Sequence, residues 1–281
     1  MSNDRFPKIA LGTWLMGGTK EADPHNDDQR DISVIQTAID NEITLIDTAQ
    51  NYAAGKCEEL VGQAVKRYPR ESYQILTKQA KSELLYDEVI RGCRASLRRL
   101  GLEYLDYFVC HAPRADVDMS EFFKAANRLY KDGLIRNVGV SNFGPKALQT
   151  AINSSDLPIS LNQVSFSMVD NDIISSGTYD FCLQDNIPIQ AYRTLVSLKD
   201  NREVSELLEK IALEYDVSPQ QIALAYINSY ENINFTVRAS SVDHWQQIKD
   251  ALKLKLSAET KEKLKKIHEK QQGVVNHFLE I

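Results

Sequence analysis

Three short apolar runs end in residues that can exchange protons. Ile43-Thr44-Leu45-Ile46 is closed by Asp47, Gln74-Ile75-Leu76-Thr77 by Lys78, and Tyr107-Phe108-Val109-Cys110 by His111. If the runs are neighbouring strands, a carboxylate, an amine and an imidazole converge on one point. Tyr52 follows Asp47 in the next loop and reaches the same point. Such a set suits acid–base chemistry. Each residue alone has a plainer explanation. A strand-end Asp or Lys commonly forms an ion pair, a lone His fills a core, and a loop Tyr packs. Their coincidence at successive strand ends is what points to a site. Further polar residues close later runs: Ser141 and Asn142, Gln163, Tyr192 and Arg238.

The elements that must position these residues follow from the pattern of apolar and amphipathic stretches. Strands are expected at Lys8–Leu11, Ile43–Asp47, Tyr73–Thr77, Tyr104–Cys110, Asn137–Val140, Ile159–Val164, Ile187–Tyr192 and Ile233–Val237. Several are apolar nearly throughout, as in a sheet buried on both faces. Helical periodicity fills the intervals, from Asp27–Asn41 to Ala258–Lys270, with one helix expected over Asp172–Gln184. Ser218 before Pro219 reads as a cap followed by a first-turn proline. Gly101 and Gly133 read as helix stops. Eight strands each followed by helix predict a single-domain parallel (β/α)8 TIM barrel over residues 1–281, with function at the carboxyl ends of its strands. The rival, an open doubly wound sheet, usually opens with a glycine-rich turn, and no G-x-G-x-x-G occurs here.

With 43% hydrophobic and 26% charged residues, the chain reads as an ordinary globular protein with a large core. A net charge of −6 argues against a general binder of nucleic acid or of anionic membranes. No apolar run approaches the ~18 residues of a membrane span. The segment from Met1 to Pro7 carries no apolar secretory stretch. Cys57, Cys93, Cys110 and Cys182 show no C-x-x-C pairing, so neither a disulfide scaffold nor structural zinc is expected, and no metal site is assigned. A cytoplasmic location is expected. Cys110, beside His111, reads as a buried strand cysteine. The lysine-rich stretch from Lys253 to Lys270 reads as a solvated helix face.

Longer motifs sharpen this reading. Asp47-Thr48-Ala49-Gln50-Asn51-Tyr52 followed by Gly55-x-x-Glu58-x-x-x-Gly62 resembles the first signature of the aldo-keto reductases. Gly133-Leu134-Ile135-Arg136-Asn137-Val138-Gly139-Val140-Ser141-Asn142-Phe143 is similar to that family's second signature, and Leu11-Gly12-Thr13-Trp14 to its opening strand. The resemblance runs from about Lys8 to Leu252. It implies a barrel that binds NADP(H) without a dinucleotide fold and reduces a small-molecule carbonyl, here expected as a monomer. The implied catalytic tetrad is Asp47, Tyr52, Lys78 and His111. A phenol has a pKa of ~10 and needs a cation to favour its ionised form. Lys78 would supply that charge, Asp47 would hold the ammonium, and His111 would orient the carbonyl. By the same resemblance Ser141, Asn142 and Gln163 hold the carboxamide, and Tyr192 stacks under the nicotinamide. Thr13 and Trp14 line the nicotinamide and the substrate mouth. Arg193 approaches the pyrophosphate, Asp47 and Leu195 also contact the cofactor, and Arg238, Ser240, Ser241 and His244 lie at the 2′-phosphate. The alternative from another class is an NADP(H)-binding regulatory or sensor subunit with little turnover.

Several positions depart from the family pattern. Ala191-Tyr192-Arg193-Thr194-Leu195 stands for the usual A-Y-S-P-L, and Phe166-Ser167 for Y-N. Ile248 stands where an asparagine contacts adenine, which weakens that contact. Arg238 replaces the usual phosphate-binding lysine, and a guanidinium suits a phosphate. The segment Ala112–Met119 and the tail after Lys270 are short, which predicts an open, permissive pocket.

Overall fold

A computed structural model describes residues 6–271. The expected domain of residues 1–281 and the tail after Lys270 extend beyond them. Eight parallel strands close into a barrel in sequence order. They are β1 (Ile9–Gly12), β2 (Leu45–Asp47), β3 (Gln74–Gln79), β4 (Leu105–Cys110), β5 (Ile135–Ser141), β6 (Ile159–Ser165), β7 (Ile189–Tyr192) and β8 (Ile233–Val237). β1 pairs with both β2 and β8, which completes the ring. No helix among the described residues is long and apolar enough to cross a membrane.

Strand periodicity explains how the barrel sorts its residues. Side chains alternate between its interior and the helix layer. Ala10, Leu45, Leu76, Tyr107, Val109 and Leu161 form the interior cluster, with Phe6 against Tyr107 beneath. Two residues on from Leu45, Leu76 and Leu161 come Asp47, Lys78 and Gln163, which therefore share the interior at the carboxyl ends. The intervening residues, such as Ile46, Ile75 and Phe108, belong to the larger core under the helices.

The outer helices are α1 (Asp28–Asp40), α2 (Lys56–Val65), α3 (Tyr86–Leu100), α4 (Ser120–Lys131), α5 (Pro145–Ser154), α6 (Asp172–Ser175), α7 (Thr178–Gln184), α8 (Arg202–Tyr215), α9 (Pro219–Ile227), α10 (Val242–Lys253) and α11 (Ala258–His268). Ser218 caps α9 in a capping box with Gln221, as its position before Pro219 predicts. The single helix expected over Asp172–Gln184 is instead two, α6 and α7. Gly177 adopts φ +75°, a left-handed conformation that ends the first and starts the second.

The Gly55–Glu58–Gly62 spacing has a structural cause. Glu58 is fully buried, accepting from Thr77 Oγ1 at 2.6 Å and pairing with Arg99 of α3 at 2.6 Å. On the same helix, a Cβ at Gly62 would lie 2.5 Å from the Leu100 carbonyl oxygen. The missing side chain lets α2 and α3 meet, and the buried Glu58 then ties both to β3. Gly62→Ala gains helix propensity but overpacks this contact, at a net cost of about 1–3 kcal/mol. A thermal melt is expected to show Tm lower by roughly 3–10 °C. An unchanged or raised Tm would remove the close-approach explanation.

Candidate active site

At the mouth of the barrel, Lys78 is the centre. Its side chain is buried, and its ammonium has three donors. One goes to Asp47 Oδ1 in a close ion pair, one to the Thr48 carbonyl at 3.0 Å, and one to Tyr52 Oη at 3.3 Å. Tyr52 returns over the mouth because the chain after it turns sharply, with Ala53 at φ +49° and Ala54 at φ +52°. The other Asp47 oxygen accepts from Gln163 Nε2 at 2.8 Å. His111 follows β4, its ring edge-on to Tyr52 with centroids 6.0 Å apart.

The electrostatics follow from burial and these contacts. Burial works against the Lys78 charge, but the Asp47 carboxylate and the Tyr52 phenol outweigh it and hold the ammonium above its usual pKa. Burial pushes the Tyr52 phenol up. The Lys78 charge pulls it down by less, and Asp47 adds to the rise. Lys78 thus acts on Tyr52 with the expected sign, but desolvation sets the net direction. Burial, followed by the charges of Lys78 and Lys81, depresses His111 to about 3, so its imidazole is neutral at neutral pH.

A second network adjoins the first. Asn142, with φ +61°, donates from Nδ2 to Ser141 Oγ at 3.0 Å and to the His111 carbonyl at 3.2 Å. Its Oδ1 accepts from the Tyr192 hydroxyl at 2.8 Å, and Ser141 Oγ donates to the Gln163 carbonyl at 2.9 Å. The strand register sets Ser141 beside Gln163 and Gln163 beside Gln190. Gln190 was not singled out from the sequence. It is fully buried, its Oε1 accepts from Gln163 Nε2 at 3.0 Å, and its own amide nitrogen has no partner among the described residues. Its one signal is parity, two residues before Tyr192 on the interior face of β7.

The other sequence-assigned positions are more scattered. Thr13 is fully buried behind the mouth, its hydroxyl donating to the Asp47 carbonyl at 2.9 Å and accepting from Cys57 Sγ at 3.1 Å. Trp14, by contrast, is 58% exposed. Arg193 is exposed with φ +59°, and Leu195 is half-buried. Between them the buried Thr194 hydroxyl has no partner among the described residues. Ser240 and His244 are exposed, and Ser241 caps α10 by accepting from the His244 N–H at 3.3 Å. The Arg238 guanidinium donates to the Trp14 carbonyl at 3.2 Å and faces Asp31 at 3.7 Å. Ile248 packs into the core with Trp245 and Ala251, which accounts for an apolar residue on that face of α10. Phe166 is likewise buried, edge-on to Tyr230 at 5.2 Å. All four cysteines are buried free thiols, and burial raises each pKa, to about 11 for Cys57 and about 12 for Cys93 and Cys182.

This barrel with its mouth can now be set against known proteins. The model of the "Aldo/keto reductase family" matches residues 8–269. The chain belongs to the aldo/keto reductase family. Among curated relatives of this aldo-keto reductase, the methylglyoxal reductase YeaE of Escherichia coli (strain K12) is 29% identical over 260 residues, spanning 90% of this chain and 88% of that one. Among solved structures, a thermostable aldo-keto reductase in complex with the inhibitor epalrestat superposes with a TM-score of 0.89 at 31% identity, covering 95% of this chain and 97% of the other. An aldo-keto reductase from Klebsiella pneumoniae in complex with NADPH gives 0.83 at 28%, covering 98% and 95%.

Proposed function

We propose that the chain reduces an aldehyde or ketone to the alcohol, with NADPH as hydride source and Tyr52 as proton donor. The observation that carries this reading is the buried ammonium of Lys78 held between Asp47 Oδ1 and Tyr52 Oη. The residues suit the cofactor. The Ser141, Asn142, Gln163 and Gln190 amides and hydroxyls gather beside the tetrad. Thr194 leaves a buried hydroxyl unpartnered next to Tyr192, and Arg193 and Arg238 bring cations to the rim.

A bound nicotinamide supplies the hydride to the carbonyl carbon. The chain's own residues handle the oxygen. Tyr52 is a phenol with a raised pKa, so it is fully protonated at neutral pH and retains the proton it must donate. As that proton moves to the carbonyl oxygen, a phenolate forms 3.3 Å from a permanently charged ammonium, so Lys78 acts most strongly in the transition state. Neutral His111 donates a hydrogen bond to the same oxygen and orients it without surrendering a proton. The names of the related methylglyoxal and glyoxal reductases favour 2-oxoaldehydes within a broader aldehyde range.

The test is a steady-state assay of NADPH consumption with methylglyoxal, glyoxal and an aromatic aldehyde, paired with cofactor titration by fluorescence. Turnover with NADPH is expected; binding without turnover would favour a sensor. Arg238→Ala is expected to weaken NADPH roughly 10–150-fold, the worth of one charge-assisted hydrogen bond, while barely touching NADH. Equal wild-type affinities for NADPH and NADH would refute the 2′-phosphate assignment.

A further inference from the structure

We infer that Arg238 is also a positioning residue for the loop that carries Trp14, clamping the lip of the mouth against the buried carboxylate of Asp31. The loop of residues 13–27 joins β1 to α1 and bears the most exposed tryptophan at the barrel's open end. Its backbone is not relaxed. Leu15 has φ +74° and Gly17 φ +78°, and a branched residue such as Leu15 stays left-handed only where its surroundings hold it there.

Asp31, on the first turn of α1, gathers the loop's holding contacts. It is 5% exposed, and its Oδ2 accepts from the Gly17 N–H at 3.0 Å and from Asn26 Nδ2 at 2.9 Å. Both halves of the loop are thus tied to one carboxylate. A buried carboxylate needs a cation beside it. Its other oxygen faces Arg238 at 3.7 Å, and the same guanidinium donates to the Trp14 carbonyl at 3.2 Å. Lys56, also near the start of α1, is committed to Asp28 at 2.9 Å. Arg238 reaches the loop because β8 and β1 are the pair that closes the barrel, with Val237 in register with Leu11. The planar fork turns Nη1 to the Trp14 carbonyl and Nη2 toward the Asp31 carboxylate at a fixed spacing, whereas a lysine would have to meet both from a single nitrogen. The clamp stands without the catalytic reading. Only its effect on substrate recognition rests on that reading.

Hydrogen exchange followed by mass spectrometry on the cofactor-free protein tests the clamp. In Arg238→Ala, exchange across residues 13–27 is expected to rise about tenfold, as for loss of one charge-assisted contact, with β4 unchanged as the internal control. Asp31→Asn keeps an acceptor for Gly17 but loses the charge. It is expected to speed the same loop in the cofactor-free protein, which a phosphate-only role for Arg238 does not predict. Loop exchange at the wild-type rate in either variant overturns the clamp. If Arg238→Ala exchanges faster everywhere, Arg238→Lys decides instead: faster exchange confined to the loop supports the fork, and wild-type exchange overturns it. With an aromatic aldehyde at saturating NADPH, KM in Asp31→Asn is expected to rise several-fold with kcat little changed. A wild type that turns over no aldehyde would sink the catalytic reading and leave the exchange result decisive for the clamp.

Discussion

Tyr52→Phe is expected to lower kcat for aldehyde reduction by about 10²–10⁴-fold or more while leaving NADPH affinity nearly unchanged. The substitution removes one oxygen and keeps the ring against His111. Lys78 loses the weakest of its three partners and keeps Asp47 and the Thr48 carbonyl, so the site stays assembled. The loss therefore reports the proton. The pH dependence of wild-type kcat checks the same assignment. Tyr52 is held above the usual phenol value of ~10, so the donor remains protonated across the neutral range, and kcat is expected to stay flat there and decline only in strong alkali. His111, depressed to about 3, is a neutral imidazole near pH 7 and has no acidic imidazolium proton to give. A kcat that fell between pH 6 and 7, or near wild-type turnover in purified Tyr52→Phe, would move the acid elsewhere.

Lys78→Met is expected to abolish turnover and to destabilise the fold as well. Removing one partner of a buried ion pair costs about 3–5 kcal/mol, because the other charge is left behind. Gln163 still donates to Asp47, which softens but does not cancel the loss. The orphaned carboxylate is better tolerated once protonated. The Tm gap between the variant and the wild type is thus expected to narrow in acid. Asp47→Asn in the same background should recover part of the Tm and none of the activity. A Lys78→Met protein with wild-type Tm would show that the pair contributes nothing to folding. An active one would show that Tyr52 works without it.

The residues at the carboxyl ends of the strands were legible because a barrel converts chain order into proximity. Asp47, Lys78 and Gln163 each sit two residues beyond an interior leucine, a pattern visible in the sequence. The division of Asp172–Gln184 was less legible, since one glycine in an otherwise periodic stretch is often tolerated; here Gly177 turns left-handed. Gln190 gave only its parity with Tyr192, because a lone amide in a strand otherwise reads as polarity alone. The partners of Arg238 lie at the opposite end of the chain, beyond any local pattern. Ser241 and Ile248 carry two roles at once. Read as cofactor contacts kept or lost, they also have local duties, a helix cap and a place in the core, that serine–histidine spacing and the Trp245–Ile248–Ala251 stripe encode.

Aldehydes such as methylglyoxal are electrophiles that amines and thiols attack, so a site that binds such a carbonyl must keep its own nucleophiles from reacting. A lysine forms a Schiff base only through a free lone pair. Lys78 stands at the mouth, yet its pKa is raised and all three of its N–H bonds point at fixed oxygens. Cys110, one residue from His111, is sealed in its strand with its thiol pushed further from ionisation. The contacts proposed to steer a proton thus also keep Lys78 and Cys110 unreactive toward an aldehyde at the mouth. Adducts formed during prolonged exposure to such aldehydes should map to exposed lysines on the outer helices and spare Lys78.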